Sequence, residues 1–333
     1  MIGETENGEL HVILGTGPLG RATMRELLRR GKMVRMVNRS GRADVPPEVT
    51  VARGDLYESA DIRAVCDGAT VVYQCAQPAY QDWQQQFPPL QASIVEAVAA
   101  NGATLVVAEN LYMYGPVTGP MTEELPHLAA TRKGRTRARM SEALLEAHRA
   151  GKVRVAIGRG SDFYGPGVRD SALGDRVFAP ALAGKAASAV GDLDQPHTYT
   201  YIDDFGAALV NLGACDDALG QIYHVPNAPT VTTRAVLTEL FALLGTPPKM
   251  SGMGRMMMRL GGIFIPAARE TVEMMYEFEQ PFVVDHGKYA RAFSRVEGGD
   301  DGAQQGPGVQ ITPLREGLRQ TIEWYRAQPQ PSH

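Results

Sequence analysis

A short apolar segment that runs directly into a glycine-spaced turn constrains this chain more than any other feature. Val12-Ile13-Leu14 precedes Gly15-Thr16-Gly17-Pro18-Leu19-Gly20, and a helix-like stretch follows as far as Gly31. Glycine at 15 permits a tight turn, glycine at 17 lets a pyrophosphate approach the main chain, and glycine at 20 lets the helix pack on the sheet. Because free N–H groups at a helix start attract phosphates, the pattern predicts a dinucleotide-binding strand–turn–helix unit with residues 15–20 as contacts.

The end of the next predicted strand, at residues 33–37, indicates which dinucleotide is bound. Asn38-Arg39-Ser40 stands where a site for NAD usually places a carboxylate that holds the ribose 2′-hydroxyl. A carboxylate would repel a 2′-phosphate, whereas a guanidinium and a hydroxyl would bind it through charge-assisted hydrogen bonds. The sequence therefore favours NADP over NAD, with Asn38, Arg39 and Ser40 as contacts. The alternative is a solvent-facing Arg39 without a ligand.

Composition and charge exclude several classes of partner. The 333 residues carry a net charge of −4, which argues against a general affinity for nucleic acid or for an anionic membrane. The three cysteines and seven histidines show no metal-ligand spacing, so no metal site is predicted, and the cysteine usage fits a reducing cytoplasm. Residues 1–9 lack the apolar core of a signal peptide, and no apolar run reaches membrane-spanning length. We expect a cytoplasmic protein.

Strand-like and helix-like segments alternate through the first half of the chain. Apolar strands are predicted at residues 49–52, 70–73, 104–108, 153–157 and 221–225, with further helices at 232–244 and from 312 and a flexible loop at 296–309. Continuous apolar strands joined by crossover helices predict an α/β fold with a doubly wound parallel sheet of the Rossmann type. We assign 1–165 and 198–226 to the dinucleotide-binding domain, and 166–197 and 227–333 to a smaller substrate-binding α/β part.

The order of several short motifs resembles the extended short-chain dehydrogenase/reductase family, which includes nucleotide-sugar epimerases and dehydratases. The landmarks are the glycine turn, Gly54-Asp55-Leu56, Tyr114-Gly115, the segment from Arg159 to Pro166, Tyr201-Ile202-Asp203-Asp204 and the segment from Thr312 to Leu318. The resemblance covers nearly the whole chain. It implies adenine contacts at Asp55 and Leu56, further cofactor contacts at Cys75, Ala76 and Gln77, a small-molecule substrate, and a homodimer.

The catalytic residues of that family are where this chain departs from the pattern. The family has Ser or Thr five residues before the glycine of its VYG motif, and here that position is Asn110. The Tyr and Lys of its YxxxK motif align with Lys133 and Arg137, and no tyrosine occurs between Tyr114 and Tyr164. The usual tyrosine acid is therefore missing from its usual helix.

Four residues remain as catalytic candidates. Arg137 could hold the nicotinamide ribose but cannot release a proton at a useful pH. Lys133 lies one helical turn away, and both burial and a neighbouring cation favour its neutral amine, so it is a candidate proton donor and cofactor contact. Asn110 could polarise a substrate oxygen, and Tyr112 is an alternative donor. A site with no protein donor is the third possibility.

A methionine-rich segment bears on the substrate. Half of the 14 methionines lie within residues 250–275, and with Ile263, Phe264, Ile265 and Phe282 they favour an apolar or aromatic substrate, although core packing is the alternative. Tyr80 and Trp83 could stack on substrate or cap the sheet. The leading hypothesis is an NADP(H)-dependent oxidoreductase acting on an apolar carbonyl or alcohol. The alternatives are an epimerase, dehydratase or isomerase that uses bound NAD(P) transiently, and a non-catalytic NADP(H)-sensing protein.

Overall fold

The computed structural model of the protein describes residues 8–261, 266–293 and 308–328. The predicted loop at 296–309 lies outside the described residues except for its last two positions, as does most of the N-terminal segment 1–9. Among the described residues, no helix is both long and apolar enough to cross a membrane.

The strands of the described chain form one large sheet and several small ones. Their bounds are β1 (Leu10–Leu14), β2 (Met33–Asn38), β3 (Thr50–Arg53), β4 (Ala69–Gln74), β5 (Thr104–Glu109), β6 (Arg154–Arg159), β7 (Asp162–Tyr164), β8 (Ala187–Val190), β9 (Pro196–His197), β10 (Tyr199–Tyr201), β11 (Ile222–His224), β12 (Val231–Thr232) and β13 (Met250–Met253). The large sheet has seven strands in the order β11-β6-β5-β4-β1-β2-β3, all parallel. The predicted α/β fold with a Rossmann-type parallel sheet is confirmed.

Helices cover both faces of this sheet. Their bounds are α1 (Pro18–Arg29), α2 (Ser59–Val65), α3 (Trp83–Asn101), α4 (Arg132–Arg149), α5 (Asp175–Leu182), α6 (Ile202–Gly213), α7 (Thr233–Leu244), α8 (Arg255–Gly261), α9 (Pro266–Thr271), α10 (Tyr276–Glu279), α11 (Gly287–Phe293) and α12 (Leu314–Ala327). Successive side chains of β1 enter opposite layers, because strand side chains alternate between faces. Ile13 packs in the layer that contains α1, α6 and α11, whereas Val12 and Leu14 pack in the layer that contains α2, α3 and α4.

The later part of the chain, meaning the described residues within 166–197 and 227–333, forms its own apolar cluster beside the carboxyl edge of the large sheet. Phe178 of α5, Phe241 of α7 and Leu318 of α12 meet in that cluster, and β8 pairs in parallel with β13. Parallel strands all end at the same edge, so segments that follow β1, β4, β5 and β6 converge there. The later part of the chain contributes the opposite wall.

Candidate functional site

A cavity of about 530 Å³ lies at this carboxyl edge. Its walls come from the segments that follow five neighbouring strands, from α3 and α4, and from the later part of the chain. The lining includes Gly15, Thr16, Gly17, Pro18, Leu19, Arg39, Cys75, Ala76, Gln77, Tyr80, Trp83, Phe87, Glu109, Asn110, Tyr112, Arg137, Asp162, Glu277 and Phe282. The cavity thus extends from the glycine turn to a group of buried ionisable side chains.

The glycine turn has the geometry of a phosphate-binding site. Gly15 has a φ of +116°, a conformation that side chains disfavour, and a Cβ atom on Gly20 would lie 2.2 Å from the Gly15 carbonyl oxygen. A Cβ on Gly17 would instead meet no heavy atom within 4 Å. Gly17 caps α1 without any side-chain hydrogen bond to the helix start, so no side chain satisfies the first N–H groups after Pro18. Such an uncapped helix start is suited to an anionic group.

The turn after β2 presents a free guanidinium to the same cavity. The Asn38 side chain is hydrogen-bonded to neighbouring loops and is not available to a ligand in this arrangement. Its amide N–H₂ donates to Thr16 Oγ1 over 3.1 Å, and its Oδ1 accepts from the main-chain N–H groups of Ser40 and Gly41. The Arg39 side chain lines the cavity and makes no hydrogen bond or ion pair with any residue that the structure describes. Of the three predicted contacts in this turn, Arg39 alone reaches the cavity wall among the described residues.

The other predicted cofactor contacts divide into two groups. Cys75, Ala76 and Gln77 line the cavity after β4. Asp55 and Leu56 do not belong to its described lining: the Asp55 main-chain N–H donates to Asp61, and Leu56 packs in the layer of α2 and α3. Any adenine contact by these two residues therefore stays a prediction.

Arg137 is buried at the cavity wall with most of its donors unused. The side chain is 1% exposed, and its guanidinium lies over the Phe87 ring at 4.7 Å. Nη2 lies 3.5 Å from Glu109 Oε1, whereas Nε and Nη1 have no partner among the described residues. Burial lowers the pKa of Arg137, against the opposing effect of Glu109. Two unpaired nitrogens, which carry three N–H donors on a buried planar cation, are suited to acceptor oxygens of a ligand.

Lys133 shares the buried face of α4 with Arg137, as its spacing predicts, but it is held by carboxylates. It is 3% exposed, forms an ion pair with Glu270, and lies 3.2 Å from Glu273 through Nζ and Oε1. It also lies 4.5 Å from the centre of the Tyr80 ring. The described lining of the cavity does not include it. The spacing of α4 predicts the neighbouring cation at position 137, but it does not predict these two acidic partners of Lys133, because they come from a segment distant in sequence.

Asn110 and Tyr112 both reach the cavity, in the short turn after β5. Asn110 Oδ1 accepts from the Tyr112 main-chain N–H over 3.3 Å, and its amide N–H₂ has no partner among the described residues. The Tyr112 hydroxyl lies 3.4 Å from that of Tyr80. Burial raises the pKa of Tyr112 well above its usual range, and the neighbouring Tyr80 and Glu277 act in the same direction. Tyr112 therefore gives up a proton less readily than an exposed tyrosine does.

Two acidic residues at the far end of the cavity were missed by the sequence analysis. Asp162 Oδ2 lies 2.8 Å from His197 Nε2, and the other ring nitrogen of His197 lies 3.2 Å from the Glu277 carbonyl oxygen. A carbonyl oxygen accepts only, so that nitrogen carries a proton. One signal was available for Asp162: it takes the fourth position of the Arg159–Pro166 segment, where the family pattern has Asn. No sequence signal pointed to Glu277.

The methionine-rich segment does not line the cavity within the described residues. Met258 and Met275 pack with Val190 and Phe278, and Met256 is 77% exposed. Residues 263–265 lie outside the described part of the chain, and Phe282 reaches the wall. The apolar lining includes the aromatic rings of Tyr80, Trp83, Phe87, Tyr112, Phe163, Phe205 and Phe282, together with Leu19 and Leu111. No group of three His, Cys, Asp or Glu within the described ranges is arranged to hold a metal ion.

The parallel sheet, the uncapped glycine turn and a cavity along the carboxyl edge define a nucleotide-binding α/β protein of the Rossmann class. A family model described as the NAD dependent epimerase/dehydratase family matches residues 12–225. The chain belongs to the NAD dependent epimerase/dehydratase family. No curated protein matches the sequence.

Several solved structures share the fold of this chain. A dTDP-glucose 4,6-dehydratase from Bacillus anthracis, in complex with NAD, is similar at a TM-score of 0.74 and 16% identity, over 96% of each chain. A UDP-glucuronic acid 4-epimerase from Bacillus cereus with NAD has a TM-score of 0.72 and 16% identity, over 95% of this chain and 98% of that one. A UDP-N-acetylglucosamine 4-epimerase from Methanobrevibacter ruminantium has a TM-score of 0.74 and 14% identity, over 98% and 100%. At these identities the likeness shows the fold alone.

Proposed function

We propose that the protein is an enzyme that binds a nicotinamide dinucleotide and uses it transiently, as an epimerase or dehydratase does. The observation that carries the proposal is the single cavity that joins the uncapped glycine turn to the polar end formed by Arg137, Asp162 and Glu277. The family assignment and the sugar-nucleotide enzymes among the structural neighbours support this alternative over the oxidoreductase that the sequence analysis placed first.

The residues present fit such a dinucleotide. The open space above Gly17 and the uncapped start of α1 would admit the pyrophosphate, and the unpaired donors of Arg137 would hold ribose hydroxyls. The bound nicotinamide would supply the acceptor and donor of a hydride. Asn110 would donate a hydrogen bond to the substrate oxygen while negative charge develops there. The aromatic rings would pack on the rest of the substrate.

Arg39 bears on whether NAD or NADP is bound more tightly. Its guanidinium lines the cavity and is unpaired among the described residues, so it can bind a 2′-phosphate in a charge-assisted hydrogen bond. We therefore propose NADP as the preferred dinucleotide. The structural neighbours that contain NAD favour NAD instead, so the affinities for the two dinucleotides have to be compared directly.

Calorimetry with NAD and NADP tests the cofactor and its preference. We expect Arg39→Glu to weaken NADP binding by about 10- to 100-fold, the value of a charge-assisted hydrogen bond of about 1.5–3 kcal/mol, and to leave NAD binding much less affected. The matched control is Arg63→Glu, which makes the same charge change on the exposed face of α2. Tighter binding of NAD than of NADP by the unmodified protein would contradict the NADP preference. Binding of neither would contradict the proposed function.

Product analysis then separates the kinds of enzyme. Nucleotide sugars and smaller hydroxy ketones are incubated with the dinucleotide-loaded protein, products are separated by chromatography, and reduced nicotinamide is followed by its absorbance. Product without net consumption of dinucleotide is the expected result. Stoichiometric consumption would favour the oxidoreductase on an apolar carbonyl or alcohol, the second candidate, which the aromatic cavity wall favours. Binding without any turnover would favour a sensor.

A further inference from the structure

Glu277 is a buried acid in the cavity wall to which the proposed function assigns no role. It lies in the one-turn helix α10 and is 1% exposed, yet it belongs to the cavity lining. Its Oε1 is fully buried and accepts no hydrogen bond from any described residue. A carboxylate in this position would be a charge without compensation, which is costly in a protein interior.

The groups that surround Glu277 do not offset such a charge. Asp162 of β7 is the neighbouring charged group that acts on its carboxyl, and it has the same sign. The hydroxyls of Tyr80, Tyr112 and Tyr276 are each close enough to the Glu277 carboxyl to interact with it electrostatically. Glu273 acts in the same way on Tyr80 and Tyr276. His197 of β9 faces the Glu277 main-chain oxygen and the Asp162 carboxylate. Burial and the nearby Asp162 raise the pKa of Glu277 well above its usual range.

The other candidates for proton transfer are less suited to it. Lys133 is paired with Glu270 and Glu273. Arg137 keeps its proton at any useful pH, and an asparagine amide does not exchange protons in catalysis. The raised pKa of Tyr112 moves it further from neutrality, whereas a raised carboxyl pKa moves toward neutrality, where acid–base catalysis is most effective.

We propose that Glu277 is the catalytic acid–base group of this site, in place of the tyrosine that the family pattern has on the helix after β5. The inference rests on the proposed function. When a substrate hydroxyl is oxidised, its carbon loses a hydride to the nicotinamide and its oxygen loses a proton to the Glu277 carboxylate. When the carbonyl is reduced, the hydride returns to carbon, and the O–H bond of the Glu277 carboxyl breaks as its proton passes to oxygen. The two half-reactions balance with no other reactant.

Infrared difference spectroscopy tests the protonation state without substrate or dinucleotide. The protein is compared with Glu277→Gln at about pH 6, where an ordinary glutamate with a pKa of about 4.3 is ionised. We expect a C=O stretching band of a protonated carboxyl that shifts in D₂O and is lost in the variant. The matched control is Glu279→Gln, two residues away in α10, whose carboxylate pairs with Arg255 outside the described cavity lining. Asp204, whose pKa is also raised, contributes equally to both spectra, so an unchanged band intensity in Glu277→Gln would overturn the proposal.

Turnover tests the catalytic role. We expect Glu277→Gln to lower kcat by about 10²- to 10⁴-fold, the usual contribution of a general acid or base, with dinucleotide affinity unchanged, and Glu277→Asp to recover part of the loss. Oxidation of a hydroxyl should accelerate as the pH rises through the raised pKa of Glu277, and this limb should vanish in the Gln variant. Retained turnover in Glu277→Gln would overturn the proposal for Glu277 alone. An unmodified protein that binds dinucleotide but transforms no substrate would overturn the proposed function, and with it the catalytic role.

Discussion

At the scale of single residues, two glycines of the same turn have separate tasks. Gly20 lies where a side chain would collide with the Gly15 carbonyl oxygen, so it is needed for the turn itself. Gly17 has an extended conformation that any residue adopts, with a φ of −72° and a ψ of −176°, and faces open space. Glycine at 17 is therefore not required by the fold, and what it leaves room for is a ligand.

These two positions give a matched pair of variants. We expect Gly17→Ala to keep the thermal stability of the protein and to weaken dinucleotide binding by about tenfold or more, or roughly 1.4 kcal/mol, because the methyl group occupies the phosphate approach. Gly20→Ala should lower the melting temperature clearly, since the turn must open to admit the Cβ. Calorimetric titration and thermal unfolding measure the two effects. Unchanged dinucleotide affinity in Gly17→Ala would show that the open space is not the phosphate site.

The candidate site was predictable from the sequence where its residues belong to a local pattern. The glycine turn and Arg39 follow from strand–turn–helix spacing, which acts over a few residues, whereas Arg137 was identified through the resemblance of its segment to the YxxxK motif of the family. Glu277 is different, because a four-residue helix without periodicity places it opposite Asp162 through packing of the later part of the chain. The carboxylates that hold Lys133 escaped prediction for the same reason.

At the scale of elements, the strands of the large sheet were predicted to within about two residues, and the short strands outside it were missed. β4 and β5 are buried on both faces, so their continuous apolar runs identify them. β7 has three residues, and its pairing with β10 depends on contacts between segments far apart in sequence.

The connection between α6 and the start of α12 shows how such distant segments are fixed. Asp204 accepts hydrogen bonds from Thr312 N over 2.8 Å and from Thr312 Oγ1 over 2.7 Å.

The Asp204 contact predicts a pH dependence of stability. Burial outweighs the two hydrogen bonds and raises the pKa of Asp204 to about 6, above its unfolded value of about 3.9. The folded state therefore binds the proton more tightly, so this contribution to stability is complete below about pH 4 and is lost as the pH rises through about 6. We expect the unmodified protein to lose up to about 3 kcal/mol relative to Asp204→Asn between pH 4 and 7, as measured by urea unfolding. A constant difference across that range would contradict the assignment.

At the scale of the whole molecule, a buried polar chain ties the large sheet to the later part of the protein. Arg159 Nη1 of β6 donates to the Tyr114 hydroxyl over 2.6 Å, and that hydroxyl donates to His224 Nε2 of β11 over 2.8 Å. His224 Nδ1 then donates to the Asp285 carbonyl oxygen over 2.9 Å. Arg159 also donates to Glu109 Oε2 over 3.0 Å, which connects the chain to the cavity wall. The Tyr114–His224 link requires the neutral form of His224, with its proton on Nδ1, because a protonated Nε2 cannot accept from the Tyr114 hydroxyl.

Acid should therefore weaken the protein through His224. Burial lowers the pKa of His224 to about 4, and the nearby Arg159 guanidinium acts in the same direction. Because the unfolded histidine has a pKa of about 6.5, the unfolded state binds more protons, and this contribution to stability is complete above that value and lost as the pH falls through about 4. We expect the unmodified protein to lose up to about 3 kcal/mol relative to His224→Gln between pH 7 and 4 in urea unfolding. His11, whose pKa burial also lowers to about 4, adds to the acid sensitivity of both proteins equally, so the comparison isolates His224. Parallel stability profiles for the two proteins would show that the buried chain tolerates a protonated histidine.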